Sequence, residues 1–276
     1  YDGLVTYQEN LDSTIADMVS NINEIGDKIR ALNEDIVNIE SGREEKANDL
    51  RDTRNLLLDK LGEYGRIDYS EDIFGNVSVL FEGSSFVTTD HVNHIGIDTT
   101  LESCVGYATP YWEYAAVKEY DKDGREVVTS IDGAHIFDLS QTVATSTNTD
   151  IGKLRAVLLA RGDHNATYHD ITESEEYYNK NIAQSVIMNV QAEFDQMIHN
   201  IMTAINKIME DAESNPATLD NTLGKAADFT MFKVANEDDS LMYDIDEKHP
   251  AGSVMTGFTI KNTQVNSILL ADPTAF

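Results

Sequence analysis

The chain has 276 residues, enough for one large domain or two modest ones and for a sizeable buried core. Its 49 acidic against 20 basic side chains leave a formal net charge of -29, which repels phosphate backbones and anionic lipid and argues against nucleic-acid or membrane partners. A single cysteine, Cys104, excludes an internal disulfide or a thiolate metal site within one chain, and no apolar run reaches the roughly 20 residues that span a bilayer.

From the N-terminal side, Leu11, Ile15, Met18, Ile22, Ile25, Ile29, Leu32, Ile36 and Ile39 recur at steps of four and three. That heptad spacing predicts one long amphipathic helix, about 45 Å at 1.5 Å per residue, with its apolar seam turned to a helical partner. Ser41 and Gly42 stop it. Asn48 reads as the N-cap of a second helix, with Asp49 and Asp52 in the first turn where carboxylates suit the helix dipole. Ala47, Leu50, Leu57 and Leu61 line one side of it, Leu58 broadens the row, Arg54 interrupts it, and Gly62 ends it.

Past Tyr64 the texture turns to strands. NVSVLFEG alternates Val77, Val79 and Phe81 with polar residues before Gly83, and AAVKEYDKDGREVVTSI reads as a hairpin turning at Asp123-Gly124. AHIFDLS reads as a further strand, and SQTVATSTNTD as a polar loop or linker. Helical spacing returns at Ala183, Ile187, Val190, Phe194, Met197, Ile201, Ala204 and Ile208, widened by Val186, Ile198, Met202, Ile205 and Met209. A stripe this wide calls for more than one neighbour, the N-terminal helix foremost. Short strands around loops, in FTMFKVAN and GFTIKNTQVNSILLADP, close the chain.

The expected fold class is therefore α+β: a long-helix bundle, a coiled-coil-like rod built from both ends of the chain, with an inserted mostly-β domain. Residues 1–63 supply the N-terminal part of the rod, 64–150 the insert, 151–215 the C-terminal part, and 216–276 mixed strands and loops packed on the helical domain.

Candidate chemistry is sparse. Asp49 and Asp52 share a helix face, but Arg51 and Arg54 surround them, which suits capping and ion pairing better than acid-base work. His91 and His94 have metal spacing for a helix but lie in a loop or strand. His164 and His169, beside Asp163 and Asp170, offer a weak divalent-ion site. The DKDG at 121–124 has the start of a calcium loop without its later acidic ligands, and a hairpin turn explains it better. Cys104, with no basic neighbour, reads as an apolar filler. NVS at 76–78 and NAT at 165–167 match a glycosylation pattern common by chance. No phosphate loop, dinucleotide fingerprint, nucleophile elbow or zincin motif occurs. The expectation is a protein that is not an enzyme, with no catalytic, cofactor-binding or metal residue and no cofactor.

The stretch LNEDIVNIESGREEKANDLRDTRNLLLDKL resembles the flagellar hook-associated protein 1 (FlgK) family, whose pattern is LN..I...E..G...NDL.D.RD.LL..L. Leu32, Asn33, Ile36, Glu40, Gly42, Asn48, Asp49, Leu50, Asp52, Arg54, Leu57 and Leu61 match in register; Asn55 and Arg51 depart from it. NVSVLFEGSSFV, DIGKLRAVLLARGD, AEFDQMIHNIMTAIN and VNSILLADP follow in the family's order. The resemblance implies a structural, secreted component of the bacterial flagellum at the hook–filament junction, extracellular and passed unfolded through the export apparatus. It also implies self-assembly of the full-length protein, with the hook protein, the second junction protein (FlgL) and an export chaperone as partners. The family's terminal helices are expected to be missing, and the chain, which starts at Tyr1 without a methionine or a signal-type apolar segment, reads as a piece expected to be monomeric. The alternatives are a flagellin, the second junction protein, or a surface adhesin or ligand-binding module on a helical stalk.

Overall fold

The computed structural model describes residues 1–41, 46–101, 106–213, 231–234, 258–267 and 270. Gly42, Cys104 and most of 216–276 lie outside the described residues. Long helices stand near both ends of the chain, α1 (Asp2–Glu40) and α6 (Val186–Glu213), with small antiparallel sheets and short helices between them. The residues group into two compact units: one holds Asp2–Asn165 with Asn179–Met188, the other Ala166–Tyr178 with Asn189–Phe276 and Tyr1.

In the first unit α1 is the spine. Beside it lie α2 (Asn48–Gly62) and α3 (Lys153–Arg161), and strands β2 (Val77–Phe81), β3 (Ser84–Val87) and β4 (Ile95–Asp98) pack on the same helix. β1 (Ile67–Glu71), β2 and β3 form an antiparallel meander in which Ile67 faces Phe81 and Glu71 faces Val77. β4 pairs with β5 (Thr109–Trp112), Ile95 against Trp112. β6 (Val117–Tyr120) and β7 (Glu126–Ser130) make the expected hairpin, with Gly124 in the left-handed region at φ 75°. Its turn repeats that of β1 and β2. In each, the leading aspartate (Asp72 or Asp121) accepts backbone N–H groups two and four residues on, while its own N–H reaches the carbonyl four residues on. Local hydrogen bonding of this kind is why Asp begins such turns.

The core of this unit joins Ile15, Val19, Ile22, Ile29, Leu58, Leu61, Val79, Phe81, Phe86, Trp112, Leu154 and Leu158. Each large apolar side chain so buried contributes about 1.5–3 kcal/mol. Phe81, Phe86 and Trp112 stack as tilted and edge-on pairs with centroids 6.1–6.5 Å apart. They explain a glycine in mid-helix: a Cβ on Gly26 would stand 2.6 Å from Phe86 Cζ. Gly152 answers to a different demand, with φ 95° and the Tyr64 carbonyl 2.5 Å from where its Cβ would lie.

The seam of α1 is rotated from the one read in the sequence. Ile15, Ile22, Ile25, Ile29 and Ile36 of the expected row are buried, but Gln8, Val19, Gly26 and Asn33 are buried with them, while Leu11, Met18 and Leu32 are half-buried and Ile39 is exposed. The cause is the neighbour. The helix packs on strands and short helices that need close backbone approach and polar anchors, where a helical partner would take an all-apolar stripe. Two further expectations change. AHIFDLS forms only a bridge, His135 to Tyr111, because Ile136 and Phe137 turn into the core as single side chains. Asn48 does not cap α2; Ala47 holds the N-cap position, and the Glu40 carboxylate accepts its N–H at 3.0 Å.

In the second unit α4 (Tyr168–Thr172) opens on a capping box between Thr167 and Asp170. It is followed by α5 (Glu175–Tyr177), and further along the chain β8 (Phe232–Val234) pairs with β9 (Thr263–Val265). The buried line of α6 here is Gln191, Ala192, Asp195 and Asn206. The expected seam is a different face: Ile187 is buried, but Val190, Phe194, Met197, Ile201, Ala204 and Ile208 are exposed, and Ala183 precedes the helix in a turn. Among the described residues no helix is long and apolar enough to cross a membrane.

Candidate functional site

The stretch that carries the family pattern folds into a polar joint. Asn33, in the buried row of α1, clamps the start of β2: its amide nitrogen donates to the Val77 carbonyl at 2.8 Å and its oxygen accepts the Val77 N–H at 3.1 Å. The same oxygen accepts from Arg54 Nη1 at 2.9 Å, and Nη1 also reaches the Gly75 carbonyl at 2.6 Å. Arg54 is 2% exposed, so the residue that interrupts the apolar row of α2 in sequence is its deepest anchor. Burial pulls this guanidinium below its ordinary value, and Glu71, 3.4 Å away, pulls it back up.

Arg51, a departure from the family pattern, holds the outer half of the joint. It donates from Nε and Nη2 to Glu40 at 2.9 and 2.8 Å and pairs with Glu71 through Nη1. Hydrogen bonds from Arg51, then from the Ala47 N–H, lower the Glu40 pKa to about 2. Two helix ends and a β-turn are thus pinned by charge-assisted bonds, stronger than neutral ones.

A second anchor sits further along α1. Arg161, at the end of α3 and 2% exposed, pairs with Asp12 and donates to the Ala108 carbonyl at 2.7 Å. Asp12 in turn accepts the Ala108 N–H at 2.8 Å, and Gln8 donates to the Arg161 carbonyl at 2.8 Å. The Tyr107 ring lies 5.2 Å beneath the guanidinium.

Side-chain amides repeat the clamp on other strands. Asn23 exchanges two 2.9 Å bonds with the Ile95 backbone, and in the second unit Asn206 does the same with Phe232. There too, buried Asp195 accepts the Tyr168 N–H at 3.0 Å and the Ile260 N–H at 2.6 Å, fastening α4 and the 258–262 turn to α6. The His199 ring stacks on Tyr168 with centroids 3.8 Å apart.

The residues weighed for chemistry have other employment. Asp49 and Asp52 are exposed on α2. His91 bonds within its loop through Thr88, while His94 pairs with Asp27 at 3.0 Å. His164 meets Asp163 at 2.6 Å, His169 stacks on Tyr168, and Asp170 caps α4. Asp121 holds its turn. Among the described residues no group of three or more His, Cys, Asp or Glu side chains could hold a metal ion. A cavity of about 410 Å³ opens beside α3, lined in part by Pro110, His135, Phe137, Leu158 and Arg161, the last already committed to Asp12. Gln8 belongs to no motif singled out in the sequence, and Asn33, Arg54 and Arg161 stand there only within family-like segments, without a role as buried anchors. The available signal was a polar residue at the step of four or three inside an apolar row, as Asn33 stands between Ile29 and Ile36.

In both units buried polar groups fasten helices to strands and turns, which makes this a helical scaffold with strands clamped onto it. The family model for the flagellar hook-associated protein FlgK helical domain matches residues 1–226, and the chain belongs to that family. Its fold is similar to that of the flagellar hook junction protein FlgK from Burkholderia pseudomallei, at 17% identity and a TM-score of 0.50, over 85% of this chain and 33% of that one. The chain thus spans about a third of that protein's length. A search of curated proteins returned no match.

Proposed function

We propose that the protein of which this chain forms part joins hook to filament in the bacterial flagellum. The observation that carries this is the family match across residues 1–226, supported by the polar joint that gives Asn33, Glu40 and Arg54 of the family pattern a physical role. In this reading the protein acts outside the cell after export, self-assembles when full-length, and meets the hook protein and the second junction protein (FlgL), with an export chaperone beforehand. In this reading residues 1–63 and 151–215 belong to the helical part of the protein and 64–150 to its mostly-β insert.

Deleting the encoding gene in the source organism tests this. Bare hooks with flagellin shed into the medium, restored to filaments by the gene in trans, support the reading; filaments still attached to their hooks overturn it.

A further inference from the structure

The cavity of about 410 Å³ beside α3 is lined entirely by residues of the first unit, and its size falls in the range of small-molecule sites, about 300–1,000 Å³. Buried Phe137 and Leu158 give it apolar walls. Arg161 lines it too, only 2% exposed. The Arg161 Nε donates to the Gly162 carbonyl, and its Nη1 to the Asp12 carboxylate and the Ala108 carbonyl. Nη2 is left without a hydrogen bond among the described residues. A buried donor without an acceptor costs free energy, so an occupant that fits brings an acceptor to this end. A bare anion does not suit the cavity. Asp12 already neutralises the guanidinium, and exposed Asp138 and Asp163 set two more carboxylates at the rim. A bare cation fails at the other end, because it offers Nη2 nothing. The three features together describe a ligand with an acceptor, a positive charge and an apolar body.

We propose that this cavity binds a small zwitterion, an α-amino acid with an apolar side chain. Its carboxylate accepts from Arg161 Nη2, its ammonium faces Asp138 and Asp163, and its side chain lies on Phe137 and Leu158. The site binds and transforms nothing, and the assignment does not rest on the junction reading.

Isothermal titration calorimetry of the chain with L-leucine tests it, beside two analogues that each lack one charge. Saturable binding of one leucine per chain is expected. L-Leucinamide, without the carboxylate, and 4-methylpentanoate, without the ammonium, are each expected to bind about tenfold more weakly, the cost of a charge-assisted contact. Comparing ligands on the unaltered chain avoids Arg161 variants, which would loosen α3 from α1 as well. Proton NMR of the histidines locates the site. The signal of His135, exposed on the cavity lining and assigned by its loss in His135→Ala, is expected to shift on titration while those of His91 and His94 stay. Absence of saturable binding overturns the proposal. So does binding that is indifferent to the loss of the carboxylate, or that leaves the His135 signal where it was.

Discussion

Arg54 Nη1 donates to Asn33 Oδ1 at 2.9 Å, and through this bond a buried cation on α2 and a buried amide on α1 hold the same β-turn. Each is worth most with the other present. Arg54→Ala leaves the Gly75 carbonyl and the Asn33 oxygen short of a charged donor, and about 1.5–3 kcal/mol of stability is expected to go. Asn33→Ala strands both Val77 backbone groups and costs about 2–3 kcal/mol. The two losses are less than additive, with a coupling of about 1 kcal/mol or more in a urea double-mutant cycle. Strict additivity would mean that the bond contributes nothing of its own.

Two glycines of α1 respond to alanine in opposite directions. At Gly26 the new methyl meets Phe86 at 2.6 Å, so Gly26→Ala destabilises by about 1–3 kcal/mol through overpacking. At Gly3, in the first turn, nothing lies within 4 Å, and Gly3→Ala stabilises by a few tenths of a kcal/mol through helix propensity alone. Thermal melts of the two variants check the pair. Equal shifts of the same sign contradict the placement of Phe86.

Acid sensitivity follows from Glu40. Its carboxyl, ordinarily near 4.5, is held at about 2 by Arg51 and the Ala47 N–H. Between those values the unfolded chain binds the proton and the folded chain does not. The contribution is fully present above pH 4.5 and is lost as pH falls toward 2. Glu40→Gln therefore flattens the fall of the urea midpoint over that window. An unchanged slope would remove Glu40 from the acid response.

The clasp at Asp195 is local. Asp195→Asn turns one acceptor into a donor facing a backbone N–H, either that of Tyr168 or that of Ile260. Hydrogen exchange at those two amides is expected to quicken, with a loss of protection of about 1–3 kcal/mol. The Asn33 and Arg54 network, in the other unit, is expected to keep its protection.

How much of this was legible beforehand depended on whether the signal was local. The two N-terminal helices, the hairpin at Gly124 and the strand through Val77, Val79 and Phe81 follow from spacing and turn chemistry, and the structure has them. The face of α1 did not follow, because the heptad rule assumes a helical neighbour and Gly26 and Asn33 are chosen by Phe86 and the Val77 backbone. The role of Arg54 was hidden for the same reason: its partners lie 21 residues away in either direction, and composition gives a charged residue no reason to be buried. AHIFDLS has a strand's alternation but joins no sheet beyond one bridge, since pairing depends on a partner strand that local pattern cannot supply.

The central claim, that this chain serves in the joint between hook and filament, is tested most directly by position. Antibody raised against the chain, applied with gold to intact flagellated cells of the source organism, is expected to label one cluster between hook and filament. Label along the whole filament, or none on the flagellum, would contradict the account.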